Sequence, residues 1–197
     1  LNDALKSYER VISINSGLAE VHNNLGTIFS GLNQLEEAEK SFRKALAIDP
    51  YYAGAHYNFG NTLQDLNRAV EAEASFRKAI AIDPNYAEAH NNLGNVLLNS
   101  NRLVEAEVSF RKAIAIAPDY AEAHNNLGNL LVTLEKLGDA EASFRKAITF
   151  KPNYAKAYSN LGANLKNLDR LEEAESCCRK AIVLDQTYAK AHCNLCV

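Results

Sequence analysis

The sequence predicts an all-α fold in which pairs of helices repeat one after another. Three observations predict it. The chain repeats every 34 residues without an insertion, its four prolines all fall at one place in that period, and each period holds two stretches with apolar residues at helical spacing. Such a period marks a solenoid of small units, because one unit cannot bury its own apolar face.

Counting Ala19 as position 1, the full repeats run over 19–52, 53–86, 87–120, 121–154 and 155–188, within a single array covering 1–197. Residues 1–18 correspond to positions 17–34 and predict the second helix of a partial repeat, with Ala4 and Tyr8 at the packing positions. The first helix of each full repeat, such as Ala87 to Asn99, carries apolar residues at positions 3, 7, 10 and 11. The second, such as Val104 to Ile116, repeats the stripe with Ala106, Phe110, Ala113 and Ile114. Pro50, Pro84, Pro118 and Pro152, at position 32, follow the second helices. In the short turn inside each pair, Asn33, Asn67 and Asn101 suit the left-handed backbone that closes a helix, whereas Glu135 and Asp169 suit it less well. Residues 189–197 predict the start of a further first helix.

Gly26, Gly60, Gly94, Gly128 and Gly162 recur at position 8, and alanine is invariant at positions 20 and 27. These small residues let helix backbones approach, and Phe42, Phe76, Phe110 and Phe144 at position 24 fill the space so created. In the last repeat that place falls to Cys178. Along the second helix Glu39/Arg43, Glu73/Arg77, Glu107/Arg111, Glu141/Arg145 and Glu175/Arg179 are spaced i to i+4 with the acid first. That order stabilises a helix by roughly 0.2–0.5 kcal/mol per pair and reads as a solvated outer face.

The 197 residues are 47% hydrophobic, enough for a continuous core. A net charge of −3 without blocks of one sign argues against nucleic acid and anionic membranes as partners. No apolar run approaches the roughly 20 residues of a membrane span, and the opening residues lack the apolar stretch of a signal peptide. The absence of Met predicts a piece of a longer chain or one that has lost its start. Cys177, Cys178, Cys193 and Cys196 crowd the C-terminal end, whereas a disulfide framework would spread along the chain, so a reducing, cytoplasmic setting is expected.

These positions closely resemble the tetratricopeptide repeat (TPR) family. Its unit has a large residue at position 4, Leu-Gly at 7 and 8, Ala at 20, an aromatic at 24, Ala at 27 and Pro at 32. The resemblance covers essentially the whole chain and implies a right-handed superhelix whose first helices line a concave groove for peptides or protein segments. Departures gather at the C-terminus, where Cys178, Gln186 and Cys196 replace the aromatic, the proline and the glycine.

The candidates for chemistry reduce to scaffold one by one. His22, His56, His90, His124 and His192 all sit at position 4, the packing slot of the family, which Tyr158 fills in the remaining repeat. Equivalent positions in successive repeats stand at least about 8–10 Å apart, too far for two imidazoles to share a metal whose nitrogen ligands lie about 2 Å away. Cys193 and Cys196 form a C-x2-C beside His192, a spacing zinc sites use, but Cys178 and Cys196 fall at packing positions. No nucleophile elbow, phosphate loop or H-E-x-x-H stretch occurs. No catalytic residue, metal site or cofactor is expected.

The asparagines remain. Asn24, Asn58, Asn92, Asn126, Asn160 and Asn194 recur at position 6, Asn61, Asn95 and Asn129 at position 9, and Asn91 and Asn125, with Asn23, at position 5. Spacings of three and four bring positions 6 and 9, or 5 and 9, onto one helix face. An amide side chain offers an acceptor and two donors, the complement of a peptide group, so a row of them can hold an extended backbone regardless of its side chains. The same row could instead tie neighbouring helices together. The repeat arrays of O-linked N-acetylglucosamine transferases are similar in their "NLG" motif and asparagine ladder, which grip substrate polypeptides. Co-chaperone members that clamp a C-terminal carboxylate use Lys at position 5, and no Lys stands there in this chain.

The sequence therefore predicts a non-enzymatic protein-interaction scaffold that binds an extended peptide or protein segment. The alternative is the substrate-recruiting arm of a larger, glycosyltransferase-like enzyme. End-to-end stacking into a homo-oligomer through the apolar ends is compatible with either.

Overall fold

The structure, a computed structural model, describes residues 17–185. The helices expected near either end, the C-x2-C pair with His192, and the end-stacking surfaces lie outside the described residues.

Ten α-helices follow one another among the described residues, with no strand between them. They are α1 (Ala19–Gly31), α2 (Leu35–Ile48), α3 (Ala53–Asp65), α4 (Ala69–Ile82), α5 (Ala87–Asn99), α6 (Leu103–Ile116), α7 (Ala121–Thr133), α8 (Leu137–Phe150), α9 (Ala155–Asn167) and α10 (Leu171–Leu184). Odd-numbered helices are the first of each repeat and even-numbered helices the second.

The turn inside each pair is set by one left-handed residue. Asn33, Asn67, Asn101, Glu135 and Asp169 all have φ between 57° and 59°. The residue after each donates its N–H five residues back, as Gln34 does to the Phe29 carbonyl (2.9 Å) and Lys136 to the Leu131 carbonyl (2.9 Å). This is the Schellman closure of a helix C-terminus. The same residue then opens the next helix, since the Ala38 N–H donates to the Gln34 carbonyl at 3.0 Å and that of Ala140 to the Lys136 carbonyl at 3.0 Å. One residue thus ends one helix and starts its antiparallel partner. At the other turn, Asp49, Asp83 and Ala117 are extended (φ −128°, −123° and −126°), the backbone that a following proline imposes.

The described residues belong to two compact units, one ending at Val96 and the other beginning at Leu97. In the first, α1 packs on α2, α3 on α4, and α3 also packs against α2 and α1. In the second, α7 pairs with α8 and α9 with α10, while α6 meets α7 and α8 meets α9.

Within the pairs, small meets large. Phe42, Phe76, Phe110 and Phe144 are fully buried, as are the alanines at positions 20 and 27. A Cβ placed on Gly26 would lie 2.7 Å from the Phe42 ring, one on Gly60 2.6 Å from Phe76, and one on Gly128 2.5 Å from Phe144. Each glycine is therefore the seat of its own repeat's phenylalanine. In the last pair Cys178 takes the seat, with its Sγ 2.7 Å from where a Gly162 Cβ would be.

On the outer face the i,i+4 pairs form as expected, for instance Arg43 to Glu39 at 2.8 Å and Arg145 to Glu141 at 2.6 Å. A second set was not visible in the spacing: Arg68 reaches Glu39 of the preceding repeat (2.6 Å) and Glu71 of its own (2.6 Å), and Arg170 likewise joins Glu141 (2.7 Å) to Glu173 (2.7 Å). Hydrogen bonds from Arg68 hold the Glu71 carboxyl below its ordinary value, and those from Arg170 do so for Glu173. Burial alone would raise Glu141, but hydrogen bonds from Arg170 and Arg145 outweigh it and the net direction is down.

Candidate functional site

The asparagines divide into three roles according to where one helical step, about 100° per residue, carries each side chain. Position 5 turns inward. Asn23, Asn91 and Asn125 are buried, the last two at 3% and 0% exposure. Buried amides must be hydrogen-bonded, and these lie between helices, out of direct reach from the open face. Asn23 donates to Asn24 Oδ1 (3.4 Å), Asn91 to Asn92 Oδ1 (3.1 Å) and Asn125 to Asn126 Oδ1 (3.4 Å).

Position 6 lies half-buried beside it and reaches back one repeat. Asn58 Nδ2 donates to Asn23 Oδ1 at 3.0 Å and Asn160 Nδ2 to Asn125 Oδ1 at 2.9 Å. Asn92 differs because position 5 of the preceding repeat is Tyr57. Its Nδ2 donates to Asn61 Oδ1 at 2.7 Å and lies 3.4 Å from the Tyr57 hydroxyl. Each of these links uses part of the amide's capacity of two donors and two lone pairs.

Position 9 is half-buried, like position 6. Asn61 accepts through Oδ1 from Asn92. The side-chain amides of Asn95 and Asn129, also half-buried, form no hydrogen bond among the described residues. In the first unit Asn58 and Asn61 line a cleft of about 300 Å³ together with Thr27, Ser30 and Asp65. Charge there is of one sign: α1, α3 and α5 carry Glu20, Asp65 and Glu88 and no Lys or Arg. Tyr57 packs against Tyr86 with ring centroids 4.8 Å apart and the planes tilted by 36°. Burial, assisted by Tyr57 and the nearby Glu88 and Asp83, pushes the Tyr86 phenol up to about 12.

The histidines do more than fill space. His56 Nε2 lies 3.0 Å from the Pro50 carbonyl, His90 Nε2 3.1 Å from that of Pro84, and His124 Nε2 2.9 Å from that of Pro118. Since a carbonyl only accepts, each ring carries its proton on Nε2 and clasps the loop leading into its own helix. The signal was present in the sequence as Pro and His six residues apart, repeated three times. Burial lowers the His56 and His124 values, with the proline carbonyl pulling the other way and Lys78 and Lys146 lowering them further.

Among the described residues no three His, Cys, Asp or Glu side chains converge as metal ligands. Cys178 is buried, and burial raises the half-buried Cys177 thiol, the opposite of what activates a nucleophile. No helix among the described residues is long and apolar enough to cross a membrane.

A chain of antiparallel helix pairs, closed by Gly–Phe seats and lined by amide rows, is an α-helical repeat scaffold. The tetratricopeptide repeat family matches residues 19–52, 87–120, 121–154 and 155–188, with a further TPR match over 60–101, and the chain belongs to that family. Among solved structures it is similar to YrrB, described as a TPR protein with an unusual peptide-binding site (25% identity, 95% of this chain and 97% of that one, TM-score 0.72). It is also similar to PilW, a type IV pilus biogenesis factor (26% identity, 85% and 78%, TM-score 0.79). MamA of Desulfovibrio magneticus RS-1, at 23% identity over 86% and 96% with a TM-score of 0.74, shares the fold. No individual curated protein matches the chain.

Proposed function

We propose that the protein is a non-catalytic interaction scaffold whose first helices bind an extended polypeptide segment through its backbone. The observation that carries this reading is that the half-buried side-chain amides of Asn95 and Asn129, at the same repeat position as Asn61, are unpartnered. An amide kept half out of water without a partner is costly to bury further unless a peptide group meets it. Asn24, Asn58, Asn92, Asn126 and Asn160 contribute their remaining donor or lone pair. Asn91 and Asn125, from behind, orient the position-6 amides rather than touch the ligand. The peptide-binding site named for YrrB supports the class of ligand.

The absence of Lys and Arg from α1, α3 and α5 favours neutral or basic segments over acidic ones on those helices, whereas α9, which carries Asn160, has Lys156 and Lys166. The test is binding of the full chain to an array of short unstructured peptides, before and after changing Asn61, Asn95 and Asn129 together to Ala. Each lost hydrogen bond contributes about 0.5–1.5 kcal/mol, so binding should fall at least about tenfold. Unchanged binding by the triple variant would refute the reading.

A further inference from the structure

The second helices of the first unit frame a larger cavity that has no part in the asparagine rows. It has a volume of about 630 Å³, with apolar walls from Leu46, Phe59 and Ile82 and with His56 on its floor. That size lies within the ~300–1,000 Å³ of clefts that take a ligand group. Its rim is basic. Arg43 lies over the Phe59 ring at 5.2 Å and is already neutralised by Glu39, whereas Lys78 has no ion-pair partner among the described residues. Asp49, the acid nearest His56, has its Oδ1 taken by the Tyr51 N–H at 2.9 Å.

The second unit contains the same cleft, and the comparison shows what it accepts. There the cavity over His124, between Arg111 and Lys146, is only about 260 Å³. The Phe150 ring stacks on the imidazole, with centroids 5.5 Å apart and planes at 25°. Phe150 and Ile82 occupy the same repeat position, 30. The chain thus covers the second histidine with its own aromatic ring and leaves the first beside a shorter aliphatic side chain, with Tyr51 standing 80% exposed at the rim.

We propose that the cleft between α2 and α4 is a second docking site, for an acidic segment of a partner protein. One Leu or Phe of that segment seats over His56, as Phe150 does over His124, and a flanking carboxylate meets Lys78. The site is independent of the asparagine face. Apolar area gives it affinity, and the unpaired ammonium selects the sign of the partner.

Fluorescence anisotropy on the full chain tests it with three labelled probes: Gly-Asp-Leu-Phe-Asp-Gly, the analogue with Lys for Asp, and the analogue with Ser for Leu and Phe. Only the first should bind. Ile82→Phe should close the cleft and weaken it about tenfold, as for a lost anchor pocket, with helix content unchanged because the equivalent position already holds Phe. Lys78→Gln should weaken binding severalfold and flatten its salt dependence. Phe150→Ile should open the second cleft and add a second equivalent of bound probe. The variant lacking Asn61, Asn95 and Asn129 should bind the acidic probe normally, which separates this site from the asparagine face. Equal binding of the Lys probe, an unaffected Ile82→Phe variant, or no binding by the acidic probe would overturn the proposal.

Discussion

Asn58 donates its side-chain amide to Asn23, the residue one repeat back and one position earlier, at 3.0 Å. The same link joins Asn160 to Asn125 at 2.9 Å. Position 6 is therefore partly architectural, as is Asn61 at position 9, which accepts from Asn92, whereas the side chains of Asn95 and Asn129 make no such link, and the two kinds of asparagine should separate by mutation. Changing Asn92 and Asn126 to Ala should weaken peptide binding and also cost about 1 kcal/mol of stability per site, the usual worth of a hydrogen bond. Changing Asn95 and Asn129 should weaken binding while thermal melting stays nearly unchanged. Peptide titration beside circular dichroism melts of the two double variants distinguishes them.

The Gly–Phe seats make the opposite prediction. Phe110 is fully buried, so Phe110→Ala should destabilise by about 3–5 kcal/mol without selectively affecting either surface. Gly60→Ala should also destabilise, by about 1–3 kcal/mol, because the added methyl must displace the Phe76 ring from 2.6 Å. Combining Gly60→Ala with Phe76→Leu should recover part of that loss if the clash is its cause. Chemical denaturation of the three variants measures this.

Glu135 holds a left-handed backbone that costs an ordinary L-residue about 1–2 kcal/mol and suits Asn or Gly better. It is exposed at the tip of its turn. Glu135→Asn should therefore stabilise by about 0.5–1 kcal/mol, and the reverse change Asn101→Glu should destabilise by a similar amount. Equal melting temperatures for wild type and Glu135→Asn would show that the turn has relaxed the strain by other means.

The period made the helix pairs, the turns and the Gly–Phe seats legible, because each depends on residue type at a fixed offset. What it left hidden depends on orientation or on atoms common to all residues. Asn91 and Asn92 are adjacent letters of one kind, and only the rotation of α5 decides that the first is buried and the second half-open. The His–Pro clasp shows in the sequence only as a recurring spacing of six, because its acceptor is a backbone carbonyl that any residue supplies. Arg68 and Glu39 are 29 residues apart and meet only when repeats stack. The cleft over His56 differs from that over His124 at several letters, Ile82 for Phe150 and Tyr51 for Asp119 among them, and the period alone does not say which of them leaves a histidine uncovered.

Two steps of acid destabilisation follow from the charged and clasped groups. The native fold holds His56 and His124 below the ordinary histidine value, chiefly by burial, so it favours the neutral ring. The unfolded chain then binds more protons just below pH 6.5, and stability falls as the pH drops from there through the lowered folded values. Glu71, Glu141 and Glu173 are held below the ordinary carboxylate value by their arginines, so their contribution is present above about pH 4.5 and lost as the pH falls through their folded values. Melting temperature measured between pH 8 and pH 3, about the span of these groups' titrations, should decline in these two stages. Replacing His56 and His124 by Gln, which keeps an N–H donor for the Pro50 and Pro118 carbonyls but cannot titrate, should flatten the first stage and leave the second. If the Gln variant declines just as wild type does near pH 6, the clasped histidines are not the groups that sense acid.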